Sequence, residues 1–219
     1  MGGAEILKNL DLALYSPFSQ TRKISVAKDS FVIGTVKGLK PVYGIDNLLY
    51  AVKKALDKRP EMNINVRIAG RGSQEDELYK ITQKLHLENI VQWLGFISQE
   101  DAAEEWANMD LAVIPSYQES FGVAAIEAVA CGTDIIVSNA EGLVEVTKPF
   151  LNDDSIFQPD DIDKLCNLII QKYFSRMNLS TEQDKRRSLV KEKYGINESF
   201  ERVESLYSNY KRGNLSCKN

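Results

Sequence analysis

The chain has a single histidine and only three cysteines among its 219 residues. With His86 alone, Ser-His-Asp and Cys-His catalysis and histidine-based zinc chemistry are nearly excluded within this chain. The cysteines, Cys131, Cys166 and Cys217, are odd in number and widely spaced. They therefore indicate reduced thiols, not a disulfide framework or a metal cluster.

Long apolar runs and an excess of one charge are also lacking. No apolar stretch approaches the about 20 residues that a transmembrane helix needs, and the N-terminus has no signal-peptide pattern. The formal net charge of −4 gives no reason to expect a nucleic acid as partner. A hydrophobic content of 43% is ordinary for a soluble globular domain, and 219 residues are enough for one sizeable hydrophobic core. We therefore expect a cytoplasmic protein.

Strand-like and helix-like patterns alternate through the first two thirds of the chain. β-branched runs predict strands over 31–36, 64–69, 90–94, 111–115 and 135–137. Apolar residues at helical spacing follow each of the first four strands. Ser73 and Ser98 each precede an aspartate by three residues, which predicts a capping box at two of these helices. The alternation indicates α/β architecture, a Rossmann-like parallel sheet with helices on both faces.

Residues 115–132, with the sequence PSYQESFGVAAIEAVACG, are the most informative stretch. The run 121–131 is apolar almost all round, which predicts a helix buried on every side and ended by Gly132. Glu127 lies in the middle of this helix. A buried carboxylate is costly unless it is paired or hydrogen-bonded, so Glu127 is a candidate functional residue.

The start of that helix predicts an anion site. Ser120 is the expected N-cap, and the residues after it offer free backbone N–H groups at the positive end of the helix dipole. These residues are Phe121, Gly122 and Val123. A nucleotide sugar suits this arrangement, with its diphosphate on the helix N-terminus, its ribose on Glu127 and its sugar near Glu119.

The same stretch resembles the signature of family-4 GT-B glycosyltransferases, in which a Glu, seven residues and a second Glu lie within a longer motif. Here that motif reads Pro115-Ser116, Glu119, Phe121-Gly122, Glu127-Ala128, Ala130 and Gly132. Shorter matches occur at 69–72, 94–97 and 141–145. The resemblance covers roughly residues 31–173. It implies one half of a GT-B fold: the C-terminal, donor-binding half of a retaining glycosyltransferase.

The resemblance also implies residue roles. Lys37 stands where the family has an arginine on the diphosphate, and Tyr43 stands where it has a lysine; Lys40 is nearby. Lys37 and Glu119 are the expected catalytic residues, on the diphosphate and on the sugar hydroxyls. The expected donor-binding residues are Lys40, Ile97, Phe121, Gly122, Val123 and Glu127. The family needs no metal, so a nucleoside-diphosphate sugar is the expected donor and no cofactor is expected.

Two departures from the family change the expectations. Asp134 replaces a proline of the family motif, and the sequence gives no reason for it. A typical member is about twice as long, so the acceptor-binding N-terminal half is expected to be missing and this chain to be inactive alone. The predicted divisions are a leader or linker remnant over 1–29, the nucleotide-sugar domain over 30–178, and C-terminal helices over 179–219.

The expected partners follow from these divisions. They are a UDP- or GDP-sugar and either an N-terminal domain or a partner chain. In relatives the last helices cross back to the other half. Here the apolar face of a helix predicted near 200–210 would fold back, pair with a second copy as a homodimer, or stay exposed. The expected location of the full-length enzyme is the cytoplasm, including the cytoplasmic surface of the membrane.

Other interpretations of the same residues stay open. Glu127 is also consistent with a structural ion pair, and Glu119 with an acid favoured by the helix dipole. Lys37 and Lys40 alone resemble solvated loop lysines. A binding-only module, or one chain of a split transferase, would carry the same motifs. A nucleotide-sugar epimerase would need a catalytic cluster that is not evident, and the apolar setting of Glu127 disfavours a glycosidase.

Overall fold

Six parallel strands form a single sheet in a computed structural model that describes residues 30–175 and 180–194. The strands are β1 (Phe31–Val36), β2 (Ile64–Ala69), β3 (Val91–Gly95), β4 (Leu111–Ile114), β5 (Asp134–Ser138) and β6 (Ile156–Phe157). Their order across the sheet is β3-β2-β1-β4-β5-β6, and every neighbouring pair is parallel. The predicted Rossmann-like α/β fold is therefore confirmed.

Seven α-helices in the described ranges cover the two faces of the sheet. They are α1 (Ile45–Lys58), α2 (Glu75–Lys84), α3 (Gln99–Asn108), α4 (Val123–Ala130), α5 (Glu141–Thr147), α6 (Ile162–Ser175) and α7 (Ser180–Tyr194). Apolar residues of α1, α2 and α6 form one core cluster with the sheet. Those of α3, α4, α5 and α7 form a second cluster on the opposite face.

The two clusters share the strands because successive side chains of a strand point to opposite faces. In β1, Ile33 packs with α1 and α6, while Val32 packs on the side of α4. In β4, Val113 and Ile114 divide in the same way. Burial on both faces is the reason that these strands read as continuous apolar runs in the sequence.

The helix starts were predicted with mixed success. Ser98 is the N-cap of α3: its hydroxyl oxygen accepts from the Asp101 N–H at 3.1 Å, as predicted. The capping box at Ser73 is wrong, because α2 begins at Glu75 with Gln74 at the N-cap and no side-chain bond. The backbone N–H of Gln74 donates instead to the Leu39 carbonyl at 3.0 Å, which holds this turn against the loop after β1.

Asp134, which the sequence left unexplained, binds the C-terminal helices to the sheet. Asp134 is the first residue of β5, and its side chain is 1% exposed. The Lys172 ammonium of α6 lies 2.7 Å from one carboxylate oxygen, and the Arg186 guanidinium of α7 lies 2.6 Å from the other. Because a buried carboxylate needs such partners, the replacement of proline by Asp134 is accompanied by two cations from later helices.

The helix α7 also packs on α4. Val190 is fully buried there, and the Tyr194 hydroxyl donates to the Val146 carbonyl of α5 at 2.9 Å. The helix α7 lies within the C-terminal helices predicted over 179–219. The predicted leader over 1–29, the helix near 200–210 and Cys217 lie outside the described residues.

Candidate active site

Lys37 and Glu119 lie together at the carboxyl edge of the sheet. Lys37 directly follows β1, and Glu119 lies in the loop that follows β4. β1 and β4 are hydrogen-bonded neighbours, and from β1 the chain builds the sheet outward in one direction and from β4 in the other. Such a reversal creates the crevice in which doubly wound sheets bind ligands.

The two side chains form an ion pair across this crevice. The Lys37 ammonium contacts a Glu119 carboxylate oxygen, and the side chains are only 9% and 13% exposed. The Ser116 hydroxyl lies 3.4 Å from the same oxygen. On the other side, the Lys37 ammonium stands 4.4 Å from the centroid of the Tyr43 ring, a cation–π distance. The lysine is therefore held between a carboxylate and an aromatic ring.

The loop that carries Glu119 is fixed by contacts to α1 and to its preceding turn. The Tyr117 N–H donates to the Val42 carbonyl at 2.8 Å, and the Asn47 side chain donates to the Tyr117 hydroxyl at 2.9 Å. The same Asn47 amide donates to the Pro159 carbonyl at 2.8 Å. Burial, the largest cause, raises the pKa of the Tyr117 hydroxyl above its usual value. These contacts hold the loop in one conformation beside Lys37.

The start of α4 differs from its prediction. Gly122, not Ser120, is the N-cap, with a left-handed φ of 69° and no side-chain cap, and Ser120 is exposed. A Cβ atom at Gly122 would lie 2.8 Å from side chains of Leu143 and Val146, so glycine lets α5 pack close to this turn. Glycine adopts this left-handed conformation without a steric penalty, which is why the N-cap lies at Gly122 and not at Ser120.

The expected free donors are nevertheless present at this helix end. Within the part of the chain that the structure describes, the N–H groups of Phe121, Gly122 and Val123 donate to no protein acceptor, and the first bonded N–H of the turn belongs to Ala125. The turn follows Glu119 directly. The positive end of α4 and the Lys37–Glu119 pair therefore belong to one edge of the sheet.

Glu127 lies in the second turn of α4 and faces α3. It is half-buried, which is less than the predicted burial on every side. The indole N–H of Trp106, a fully buried residue, donates to the Glu127 carboxylate at 3.3 Å. Burial raises the pKa of the nearby Cys131 thiol to about 12; the charge of Glu127 adds to this rise and that of Arg187 opposes it.

Lys40 and Ile97 stand apart from the Lys37–Glu119 pair. Lys40 is exposed at the start of the short 3-10 turn Pro41–Tyr43. Ile97 is half-buried just after β3, which is separated from β1 by β2. Phe96, its neighbour, is 81% exposed at the same edge. The structure thus brings Lys37, Glu119 and the start of α4 together and leaves Lys40 and Ile97 at the periphery.

Several residues of the site were not predicted. The sequence identified Tyr43 only as a departure from the family, and Ser116 only as part of its motif. Trp106 and Asn47 were not among the candidate site residues. The signal that could have found Ser116 was its place in the motif, three residues before Glu119 in the same loop. The contacts of the other three depend on tertiary packing.

The described ranges show neither a metal-binding cluster nor a helix that could span a membrane. Residues 30–175 and 180–194 contain no cluster of three or more His, Cys, Asp or Glu side chains placed to hold a metal ion. In the same ranges, no helix combines the length and apolar character needed to cross a membrane.

Comparisons with known proteins place this chain in a family. The family described as "Glycosyl transferases group 1" matches residues 18–194. The chain belongs to this glycosyltransferase family. Among relatives of this family, an uncharacterized glycosyltransferase of Methanocaldococcus jannaschii is 32% identical over 156 residues. That alignment covers 70% of this chain and only 39% of the relative, so the chain spans well under half of its length.

Two solved structures share the fold. Anabaena HepE, in complex with UDP and glucose, matches with a TM-score of 0.75 and 21% identity, over 91% of this chain and 55% of that chain. The C-terminal domain of the group 1 family glycosyl transferase LpcC of Francisella tularensis matches with a TM-score of 0.72 and 20% identity. That match covers 85% of this chain and 99% of the LpcC domain.

Proposed function

We propose that this chain is the donor-binding, C-terminal half of a retaining GT-B glycosyltransferase of the family-4 type. In this proposal a nucleoside-diphosphate sugar, carrying uracil or guanine, lies along the carboxyl edge of the sheet. The diphosphate takes the N–H groups at the start of α4 and the Lys37 ammonium, with Lys40 at the rim. The match to 99% of a domain named as C-terminal supports the placement of this half.

The observation that carries the proposal is the meeting of Lys37 and Glu119 beside the free end of α4. A cation, a carboxylate and three unused N–H donors occupy the crevice where such a sheet binds ligands. An anion satisfies the cation and the helix end, while the carboxylate suits hydroxyl groups of a sugar. A nucleoside-diphosphate sugar presents both kinds of group.

The chemistry that fits this arrangement is departure of the diphosphate from the sugar. As the glycosidic bond breaks, negative charge grows on the diphosphate oxygen that leaves. In this proposal the α4 N–H groups and Lys37 stabilise that charge without a metal ion, and Glu119 orients the sugar hydroxyls. Glu127, held by Trp106, would accept from the ribose, and the backbone of Ile97 would meet the base.

Calorimetry with a panel of nucleoside diphosphates tests this proposal. We expect base-selective binding by the wild type. In Glu127→Gln we expect a loss of about tenfold to a hundredfold in affinity, because two charge-assisted hydrogen bonds to ribose are worth about 1.5–3 kcal/mol each before compensation. A 2′-deoxynucleotide should lose affinity in the wild type and little more in the variant.

Glu145→Gln is the matched control, since Glu145 is exposed on α5 and its replacement removes the same charge. Equal nucleotide affinity in the wild type and Glu127→Gln would contradict the ribose role and favour a structural role for Glu127. Failure of the wild type to bind every nucleotide of the panel would contradict the proposed function itself.

A binding-only role is the second candidate. The observation that favours it is that Lys37, Glu119 and the start of α4, the groups proposed to bind the donor, lie at the carboxyl edge of the one sheet that the described residues form. In that case the chain binds the donor for a partner chain that supplies the acceptor site. Donor binding without measurable hydrolysis or transfer would support this candidate over a complete transferase.

A further inference from the structure

The ion pair between Lys37 and Glu119 joins two side chains that the proposed function needs for different parts of the donor. Both are nearly buried, and their formal charges cancel in the structure. Lys37 is further held by the Tyr43 ring at 4.4 Å. The cation available for a diphosphate is therefore already occupied by a carboxylate of the protein.

A diphosphate that binds Lys37 must compete with Glu119 or lie beside it. Two anions sharing one ammonium repel each other, most strongly in a crevice that is shielded from water. If Glu119 leaves Lys37, it keeps the Ser116 hydroxyl, which at 3.4 Å is a weak partner. The carboxylate then needs new donors, and hydroxyl groups of a sugar can supply them.

We propose that Glu119 is a specificity-determining residue that favours sugar-bearing nucleoside diphosphates over free nucleoside diphosphates. It holds Lys37 until sugar hydroxyls engage its carboxylate. This inference rests on the proposed function and adds a selectivity to it. A free nucleoside diphosphate brings a terminal phosphate with more negative charge and lacks the hydroxyl groups of the donor sugar, so it meets the repulsion without the compensation.

The same competition acts after the reaction. Once the sugar has left, the remaining ligand is a free nucleoside diphosphate, and Glu119 regains a reason to return to Lys37. Glu119 thereby weakens the binding of the product and promotes its release. The selectivity follows from one displaceable ion pair and needs no movement of the backbone.

Calorimetry with UDP, UDP-glucose and inorganic pyrophosphate tests the inference on the wild type and Glu119→Gln. Glutamine keeps the shape and an oxygen for Ser116 but removes the charge. We expect UDP and pyrophosphate to bind about tenfold more tightly to Glu119→Gln, as for removal of one close repulsive charge. UDP-glucose should gain less or lose affinity, because the variant binds its hydroxyls less well.

Two controls separate this effect from others. Glu88→Gln removes the same charge from an exposed position before β3, at the opposite edge of the sheet, and should change none of the three affinities. In a Lys37→Met background, the gain for UDP from Glu119→Gln should differ from the gain in the wild type, because the two side chains are coupled through their ion pair; equal gains would show that the effect of Glu119 does not act through Lys37. Thermal unfolding of each variant checks that the fold is retained.

The outcomes distinguish the inference from the proposed function. If the wild type binds UDP-glucose but Glu119→Gln binds UDP and pyrophosphate no more tightly, the inference is overturned and the proposed function stands. An equal gain for UDP and UDP-glucose overturns the selectivity as well. If the wild type binds neither nucleotide nor any base analogue, both proposals fall together.

Discussion

The orientation of single side chains in this protein depends on neighbours that lie outside the sequence motif. Glu127 depends on Trp106, which is fully buried in α3 and donates its indole N–H to the carboxylate. The family motif explains why Glu127 is present, but it does not say what fixes the direction of the carboxylate. Trp106 is therefore a positioning residue under the proposed function.

Replacing Trp106 by phenylalanine tests this positioning. Trp106→Phe keeps an aromatic ring in the core but removes the N–H, so nucleotide affinity should fall about fivefold, equivalent to about 1 kcal/mol for a hydrogen bond. Pyrophosphate, which has no ribose, should bind as before. Trp93→Phe is the matched control, because Trp93 is half-buried against Tyr79 on the other face. Equal losses for nucleotide and pyrophosphate would contradict the positioning role.

The Cys131 thiol makes stability depend on alkaline pH. Burial raises its pKa from 9.0 to about 12 in the folded chain. Above pH 9 the unfolded chain loses this proton and the folded chain keeps it, so the free energy of unfolding falls as pH rises from 9 towards 12. The stabilisation is fully present below pH 9.

Urea unfolding at pH 8 and pH 10 measures this effect. Between these values the wild type should lose about 1.4 kcal/mol more than Cys131→Ala, which carries no thiol at this position. Cys166 is present in both proteins, so its own raised pKa cancels in the comparison. The same pH slope in both proteins would show that Cys131 does not titrate differently on unfolding.

At the scale of secondary structure elements, the C-terminal helices depend on one buried carboxylate. Asp134 holds Lys172 of α6 and Arg186 of α7 at the start of β5. Asp134→Asn should lower the free energy of unfolding by about 3–5 kcal/mol, because it removes the negative charge that both buried cations contact. Guanidinium-induced unfolding measures the change.

The exposed pair Lys54–Asp163 provides the control for that substitution. Its side chains are 41% and 63% exposed, so Asp163→Asn removes a solvated ion pair and should leave stability essentially unchanged. If Asp134→Asn is as harmless as Asp163→Asn, the carboxylate does not bind the two helices to the sheet.

Adjacent residues of α7 test how the helix packs. Val190 is fully buried against α4, whereas Leu189 is 42% exposed. Val190→Ala should cost about 2 kcal/mol of stability through lost burial and a small cavity. Leu189→Ala should stay within about 0.5 kcal/mol. Chemical unfolding of the two variants side by side decides whether α7 is part of the core, and similar losses would argue against the docked position.

How far the sequence predicts this structure also differs between elements. Strands β1 to β5 were predicted within about two residues, because parallel strands buried on both faces carry continuous apolar runs. The two-residue strand β6 was not predicted, because it is too short to show a pattern. The capping boxes were predicted at Ser98 and wrongly at Ser73, where the turn is held by a backbone bond to Leu39. The helix α7 falls within the predicted C-terminal helices, but its docking does not follow from its charged sequence, because its buried residues contact α4, α5 and β5.

The site was predictable as a set of residues but not as a set of contacts. The motif indicated Lys37, Glu119 and the start of α4, and the sheet order brings these together. The ion pair itself, and the Tyr43 ring beside it, depend on how two loops distant in sequence meet. Asp134 was unexplained for the same reason, since its cations are contributed by later helices.

At the scale of the whole molecule, the proposed function makes a prediction about activity. The described residues form one sheet, and the groups that the proposal assigns to the donor lie at its carboxyl edge. Under the proposal, we expect this chain to bind a sugar nucleotide and to transfer no sugar when it is alone. Calorimetry with UDP-glucose, combined with an assay for released UDP, measures both properties.

The Lys37→Met variant gives the background level of UDP release for that assay. Release of UDP above the level of Lys37→Met, without any added protein, would contradict inactivity of the isolated chain. UDP release that appears only after an acceptor-binding domain is added would support a role as one half of a transferase.

The helix α4 begins just after the loop of Glu119 and packs against α7, and this has a consequence for building hybrid enzymes. The next strand, β5, contacts both α6 and α7 through Asp134. Exchanging α7 alone between relatives would therefore change one side of these contacts and keep the other. Recombination points placed before residue 123 should give folded hybrids, and those placed between 175 and 180 should give unstable ones.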